Sequence, residues 1–177
     1  MNILLANLHK FIGYSGGIEH VLSDMAQAFT VRGHKVTVVM MDEKDGTPFF
    51  PLPDNVEFYN LCHLPGEKAV ALSRGLKLVR EIIRPFSREQ ARNVMEPLWP
   101  GFRKILDKTK PDVIISSREP TGRLLLIHPE ISVPVISMLH NDPDEIFMHS
   151  PEEEKKMLCR SASIQVLLPS FIPKAEK

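Results

Sequence analysis

The sequence predicts a doubly wound α/β domain, with a mainly parallel six-stranded sheet and helices on both of its faces. Apolar runs rich in β-branched residues alternate along the chain with stretches whose apolar positions recur at helical spacing. The first two runs enclose a glycine-containing loop and one helix, which is the βαβ unit of a parallel sheet. A length of 177 residues suits one domain with a substantial core, so we expect residues 1–177 to form a single unit.

The first βαβ unit contains the most informative loop of the chain. An apolar run at 2–7 predicts the first strand, and the loop after it ends in Gly16 and Gly17. Helical spacing then predicts a helix that Gly33 ends, and the β-branched run at 35–41 predicts the second strand. Paired glycines before a helix either let an anion approach backbone N–H groups or simply permit a tight turn. The spacing leaves both interpretations open.

Four further strands and four further helices follow in alternation. We expect strands at residues 56–61, 111–117, 133–139 and 164–170, and helices at 69–84, 87–106, 121–128 and 150–160. Pro97 and Pro100 should kink or split the helix that begins at Ser87, because proline cannot continue a helix undistorted. Residues 140–143 are predicted to be a loop.

Three of the predicted loops meet at the carboxyl edge of the sheet, where ligands of such folds bind. They are the glycine loop, residues 116–119, and His140 with Asn141 after the fifth strand. An imidazole there can hydrogen-bond a substrate hydroxyl, although a lone histidine is as often structural. We assign no comparable position to the other six histidines. Arg118 and Glu119 either hold a polar ligand or are solvated loop charges.

Several other kinds of site find little support in the sequence. The glycine loop lacks the G-x-G-x-x-G spacing and the Walker lysine, and only Asp42 suits a dinucleotide's ribose. Cys62 and Cys159 have no metal-ligand spacing, so we expect buried or idle thiols. No apolar run has the length of a membrane span and no signal peptide is visible, which predicts a cytoplasmic protein.

The formal net charge of zero conceals a basic segment. Residues 68–108 contain ten basic and four acidic side chains, so the rest of the chain is net acidic by six. In the helix predicted at 69–84, the cations lie on one side and the apolar residues on the other. Such a face is either simply solvated or contacts anionic lipid.

The ordered set of motifs resembles the N-terminal domain of family 4 glycosyltransferases of the GT-B fold. The resemblance covers nearly the whole chain and rests on six stretches taken together: Asn2-Ile3-Leu4-Leu5, Ser15-Gly16-Gly17-Ile18-Glu19, Arg32-Gly33-His34-Lys35-Val36, Lys110-Pro111-Asp112-Val113-Ile114, His140, and Ser161-Ala162-Ser163-Ile164 leading to Leu168-Pro169-Ser170.

This resemblance implies a Rossmann-like, acceptor-side domain that is one half of a GT-B enzyme. The reaction would be the retaining transfer of a sugar from a nucleotide-diphosphate sugar to a glycan or lipid-linked acceptor hydroxyl. The setting would be the synthesis of cell-surface polysaccharide or glycolipid, without a required metal or other cofactor and without nucleic acid as a partner. A second domain with a paired-glutamate E-x7-E motif would hold the nucleotide outside residues 1–177, and this chain alone would be inactive.

The resemblance also implies roles for individual residues. Gly16 and Gly17 would lie behind the phosphates and sugar of the donor, and His140 would be the catalytic residue beside the transferred sugar. The residues that would face the acceptor are Tyr14, Arg118 and Asn141, and those that would dock on the inner face of a membrane are Arg74, Lys77 and Arg84. Many members have His-Asp in place of His140-Asn141, and some have histidine where this chain has Ser116-Ser117-Arg118, which bears on acceptor chemistry.

Two other functions remain open from the sequence. One is a stand-alone Rossmann-like module that binds a nucleotide or glycan without catalysis, and it predicts tight ligand binding by this chain alone. The other is a dehydrogenase-type domain, which the failed glycine spacing disfavours.

Overall fold

A computed structural model of the chain describes residues 1–70, 97–149, 155–156 and 158–176. Within these ranges it contains one six-stranded sheet in which every neighbouring pair of strands is parallel. The strands are Asn2–Asn7 (β1), Lys35–Met40 (β2), Glu57–Asn60 (β3), Val113–Ser116 (β4), Val135–Leu139 (β5) and Ser163–Val166 (β6). The predicted fold class is confirmed.

The described helices connect or follow these strands. They are Gly17–Val31 (α1), Trp99–Thr109 (α2), Glu119–Ile127 (α3), Pro143–His149 (α4) and Ile172–Ala175 (α5), with a 3-10 turn at Pro169–Phe171. Gly33 ends α1 as expected, and its φ of +79° is a left-handed conformation that glycine adopts without steric cost.

The order in which strands are added to the sheet reverses between β1 and β4. The order is β3-β2-β1-β4-β5-β6, so the chain builds outward from β1 to one side and then from β4 to the other. The carboxyl ends of β1 and β4 therefore border the crevice in which doubly wound sheets bind ligands. The sequence prediction that the loops after β1, β4 and β5 meet at one edge is confirmed.

The core is divided by the sheet into two clusters, because successive side chains of a strand point to opposite faces. On one face, Leu4 of β1 packs in a cluster that includes Phe102 of α2 and Leu125 of α3. On the other face, Leu5 of β1 belongs to a cluster that includes Leu22 of α1. Helices therefore cover both faces, and α1 alone among the named helices contributes buried residues to the second cluster.

The loop predicted at residues 140–143 is confirmed except at its last residue. Residues 140–142 are irregular, but Pro143 begins α4, a helix that was not predicted. The Asp142 side chain accepts a hydrogen bond from the Asp144 backbone N–H at 3.0 Å, and its carbonyl accepts one from Ile146 N–H at 3.1 Å. Asp142 is thus the helix cap and Pro143 the first helical residue, a start signal that the sequence contained.

The proline-rich stretch stands at the start of α2. Pro97 lies in a turn and Pro100 lies in the first turn of α2, which begins at Trp99, while the residues before 97, on which the predicted kink or split depends, are outside the described ranges. The first N–H groups of a helix have no intrahelical acceptor, so proline is tolerated there. The other element boundaries differ from the prediction by a few residues, as at α3, which begins at Glu119 rather than Thr121.

Some predictions fall outside the described residues. They are the helix at 69–84, except for residues 69 and 70, which are not helical, the stretch 87–96, and the start of the helix at 150–160. Arg74, Lys77 and Arg84 belong to this group. Within the described ranges, none of the helices has both the length and the apolar character that a membrane span needs.

Candidate functional site

The candidate site lies at the carboxyl edge, where the loops after β1, β4 and β5 come together around the start of α1. Ser117, directly after β4, donates its backbone N–H to Ala6 O of β1 at 2.9 Å, which extends the strand pairing into the loop. His140 follows β5 on the same side of the sheet as α1, and both residues border one narrow pocket. The pocket walls are otherwise apolar and come from Leu5, Ile18, Val21, Leu22, Met25, Ile115 and Met138.

His140 is half-buried and its imidazole is held in place from one side. Burial lowers its pKa below the usual 6.5, and the positive charge of nearby Arg118 acts in the same direction, while a hydrogen bond with the Ser117 backbone opposes the shift. The ring is therefore neutral at neutral pH. Its Nε2 atom is buried and has no hydrogen-bond partner among the described residues.

Glu19 and Arg118 form an ion pair that joins α1 to the end of β4. Nη2 of Arg118 donates to Oε1 of Glu19 at 3.1 Å, and Glu19 is only 4% exposed in the first turn of the helix. Arg118 is therefore not a simply solvated loop charge, because it pairs with a buried carboxylate that needs such a partner. Its role toward an acceptor stays a prediction.

The two glycines of the loop differ in what surrounds them. Gly16 is the N-cap of α1, and a Cβ added to it would overlap with Oε2 of Glu19. Gly17 begins the helix, and a Cβ added there would meet no atom within 4 Å. The close approach of Glu19 thus explains why position 16 is a glycine. The open space at Gly17 leaves the start of α1 accessible.

Tyr14 and Asn141, the other predicted acceptor-side residues, are both exposed at this edge. Tyr14 is 41% exposed, and the Lys44 ammonium lies 5.9 Å from the centre of its ring. The structure therefore gathers Tyr14, Gly16, Arg118 and the His140-Asn141 pair at one edge. The predicted membrane-facing residues are outside the described ranges.

Asp42 has a structural task that the sequence did not reveal. Its buried carboxylate accepts backbone N–H groups from Phe11 at 2.7 Å, Ile12 at 2.9 Å and Lys44 at 2.9 Å. Burial by itself would raise the pKa of Asp42, but these three donors together lower it below 3.8. A carboxylate committed to bracing the loop after β1 does not suit the ribose role that a dinucleotide-binding domain would require.

His9 was missed by the sequence analysis. It lies two residues beyond β1, at the same edge as His140. Partial burial lowers its pKa below 6.5, Arg118 lowers it further, and Glu19 acts in the opposite direction. The statement that no other histidine has a comparable position is therefore wrong, and counting residues from the end of the first strand would have found His9.

The two cysteines agree with the prediction of buried or idle thiols. Cys62 is buried, and burial raises its pKa to about 11, so it is a neutral thiol at neutral pH. Cys159 is exposed. In the part of the chain that the structure describes, no three His, Cys, Asp or Glu side chains are grouped as metal ligands would be.

A doubly wound parallel sheet with its open loops at the switch point defines a Rossmann-like domain. A family model described as Glycosyltransferase Family 4 matches residues 15–166 of the sequence. This match covers most of the chain, and the protein belongs to glycosyltransferase family 4. A comparison of the sequence with curated proteins gave no significant match.

Solved structures of GT-B glycosyltransferases share the fold. Sucrose-phosphate synthase from Thermosynechococcus elongatus is 13% identical and superposes with a TM-score of 0.61, covering 92% of this chain and 41% of that one. Arabidopsis thaliana UGT89C1 complexed with UDP is 12% identical, with a TM-score of 0.53 and coverage of 96% and 47%. The same enzyme complexed with UDP-L-rhamnose is 18% identical, with a TM-score of 0.53 and coverage of 96% and 46%.

These comparisons identify the fold as one half of a GT-B architecture. The chain spans less than half the length of each of these structures.

Proposed function

We propose that this chain is the acceptor-side domain of a retaining glycosyltransferase. The enzyme would move a sugar from a nucleotide-diphosphate sugar to an acceptor hydroxyl, in the synthesis of cell-surface polysaccharide or glycolipid. The family match supports sugar transfer, and UGT89C1, which shares the fold, is complexed with UDP and UDP-L-rhamnose. The observation that carries the proposal is a neutral, half-buried imidazole beside the open start of α1, with no hydrogen-bond partner for its Nε2 among the described residues.

His140 is assigned to the sugar of the donor. A neutral Nε2 accepts or donates one hydrogen bond, depending on the tautomer, and therefore suits a hydroxyl group. The Ser117 backbone fixes the ring, so little orientational freedom is lost when the sugar binds. We assign His140 to a hydrogen bond that strengthens as positive charge develops on the sugar in the transition state.

Gly17 and the N-terminus of α1 are assigned to the donor phosphates. The first N–H groups of a helix have no intrahelical acceptor, and the helix dipole favours negative charge there. The cap residue of α1 is Gly16, which has no side chain that could accept a hydrogen bond from these N–H groups. Exposed Tyr14 and Asn141 are assigned to the acceptor. Arg118 contributes through its remaining donors, because one of them holds Glu19.

We also propose that a second domain completes the enzyme. It would hold the nucleotide and carry the E-x7-E motif, and neither a metal nor another cofactor would be required. The support is that the chain spans only 41% to 47% of the three solved structures that share its fold. The domain described here would be inactive alone.

The first test is the intact mass of the protein as its native cell produces it. A mass near twice 20.1 kDa, with sugar transfer from UDP-, GDP- or ADP-sugars in the purified protein, would support the proposal. A native mass of 20.1 kDa with tight nucleotide or glycan binding and no transfer would favour the stand-alone binding module instead.

The second test is His140→Ala in the native-length protein. We expect kcat to fall by roughly 100-fold or more while KM for the donor changes little, because the contact matters most in the transition state. His34→Ala is the matched control, since His34 follows the other end of α1 and packs on Phe29. An unchanged kcat in the His140 variant would refute its role.

A further inference from the structure

Three polar side chains lie in a row where β1, β4 and β5 end. Asn7 is the last residue of β1, Ser117 follows β4 and His140 follows β5. Because side chains alternate along a strand, Asn7 shares a face with Leu5, and Ser117 shares the same face with Ile115. Leu5 and Ile115 are paired in register and belong to the core cluster on the α1 side. The row therefore lies beneath α1.

The polar atoms of this row are buried and have no hydrogen-bond partner in the part of the chain that the structure describes. Asn7 is 0% exposed and Ser117 is 5% exposed. In the described ranges, no hydrogen-bond partner is found for Oδ1 or Nδ2 of Asn7, for Oγ of Ser117 or for Nε2 of His140. Buried polar groups in folded proteins are paired in the great majority of cases, since an unpaired one costs free energy of folding. Four such atoms in one row indicate a partner beyond the described residues of the chain.

Asn60 shows that this fold can satisfy a buried asparagine. It is the last residue of β3, at the same edge of the sheet, and it is 7% exposed. Its Oδ1 accepts the backbone N–H groups of Asp42 and Cys62, and its Nδ2 donates to the carbonyls of Asp42 and Lys44. The unpaired amide of Asn7 is therefore a particular feature of the row beneath α1.

The chemistry of the row suits neutral O–H groups. An amide supplies a donor and an acceptor, a hydroxyl supplies both, and the neutral ring of His140 supplies one of either kind at Nε2. The charges nearest to it, Arg118 and Glu19, are paired with each other. Ser117 and His140 border an otherwise apolar pocket with a volume of about 10 Å³, which has room for one water molecule or one hydroxyl group rather than for a whole sugar ring.

We propose that Asn7, Ser117 and His140 form one binding strip for neutral O–H groups, which are either sugar hydroxyls or a bound water that bridges the side chains. Asn7 and Ser117 thereby become specificity residues, because a site built to hydrogen-bond a hydroxyl rejects ligands that lack it. For the sugar, this inference rests on the proposed function. Entry of a sugar hydroxyl to Asn7 requires the groups that cover this side chain to move, since Asn7 is 0% exposed.

The test is nuclear magnetic resonance on the isotope-labelled 177-residue chain. D-Glucose, D-mannose and D-galactose are added in turn at millimolar concentration, and the side-chain amide of Asn7 and the ring of His140 are followed. Shifts at both groups with one of the sugars would identify sugar hydroxyls. A long-lived Overhauser effect from water to the Asn7 amide and to the His140 ring, without sugar shifts, would identify a bound water. The absence of both signals would overturn the proposal.

Substitutions identify the strip as the source of these signals. Asn7→Leu keeps the size of the side chain and should abolish at His140 whichever signal the wild type shows, and Ser117→Ala should do the same. Asn60→Leu is the matched control, because it loses four bonds within the chain and should lower the melting temperature more than Asn7→Leu does. An unchanged signal at His140 in both strip variants would contradict the proposal.

The two proposals fail in different ways. If the native-length protein transfers no sugar but the Asn7 amide still responds, the proposed function is refuted and the strip remains. If transfer is intact while the Asn7 amide shows neither signal, the strip alone is refuted.

Discussion

At the scale of single residues, the site depends on polar groups whose partners lie far away in sequence. Arg118 and Glu19 are 99 positions apart, yet their ion pair brings the end of β4 against the first turn of α1. The Glu19 carboxylate then occupies the space beside Gly16. This buried ion pair therefore leaves no room for a side chain at position 16.

Gly16 and Gly17 are expected to respond in opposite ways to alanine. Gly16→Ala should lower the free energy of unfolding by about 1–3 kcal/mol, because its Cβ overlaps with a carboxylate that Arg118 holds in place. Gly17→Ala should raise it by about 0.5–1 kcal/mol, because the Cβ is in open space and alanine favours the helix. Urea unfolding of both variants measures the two effects.

A double variant checks the cause. Glu19→Ala combined with Gly16→Ala should lose less stability than the two single substitutions added together, since the overlap no longer exists. Simple additivity would show that Gly16 is required for another reason.

At the scale of elements, hydrogen bonds connect the loops after three neighbouring strands. Asn60 at the end of β3 holds the backbone of Asp42 after β2, and the Asp42 carboxylate holds Phe11 and Ile12 after β1. The glycine loop is thus braced from one side by this series and from the other by Glu19. Rigid support of this kind lets a loop present N–H groups in a fixed geometry.

Asp42→Asn is expected to loosen this brace in a pH-dependent way. An amide in place of the carboxylate directs Nδ2 toward one of the backbone donors, so we expect a loss of about 1–3 kcal/mol at pH 7. The pKa of Asp42 is lowered on folding, so its contribution is complete above the unfolded value of 3.8 and is lost as the pH falls through the folded value.

The stability difference between wild type and Asp42→Asn should therefore be constant from pH 5 to 7 and shrink below about pH 4. Chemical unfolding at several pH values measures it. Asp54→Asn, at an exposed loop position, is the control for the change of charge. A difference that persists unchanged to low pH would show that the carboxylate form of Asp42 is not what holds the loop.

At the scale of the whole molecule, charge is separated along the chain. Six excess positive charges fall within residues 68–108, although the formal net charge is zero. Docking of this segment on the inner face of an anionic membrane stays a prediction from the sequence. Each cation near such a surface contributes about 1 kcal/mol to binding at physiological ionic strength.

Charge reversal tests this docking. Replacing Arg74, Lys77 and Arg84 with Glu should weaken sedimentation with phosphatidylserine-containing vesicles by roughly 100-fold or more, because three attractive contacts become repulsive. The control reverses Arg32, Lys35 and Lys156, which are exposed elsewhere on the described surface. Equal loss in both variants would indicate a nonspecific effect of net charge, and no loss in the first would contradict docking.

The sequence by itself determined the alternation of strands and helices, the parallel βαβ unit and the set of loops at the carboxyl edge. These follow from local periodicity and from the rule that parallel strands end at one edge, so β1, α1 and His140 were placed correctly. The start of α4 at Asp142-Pro143 was equally local and was overlooked.

Only the tertiary structure decided which polar groups meet. The ion pair between Glu19 and Arg118, the brace at Asp42 and the unpaired amide of Asn7 depend on strand order and register, which join residues about 30 to 110 positions apart. Local sequence patterns contain no information about such partners, because a hydrogen bond or charge pair needs contact in space and leaves no periodic signal.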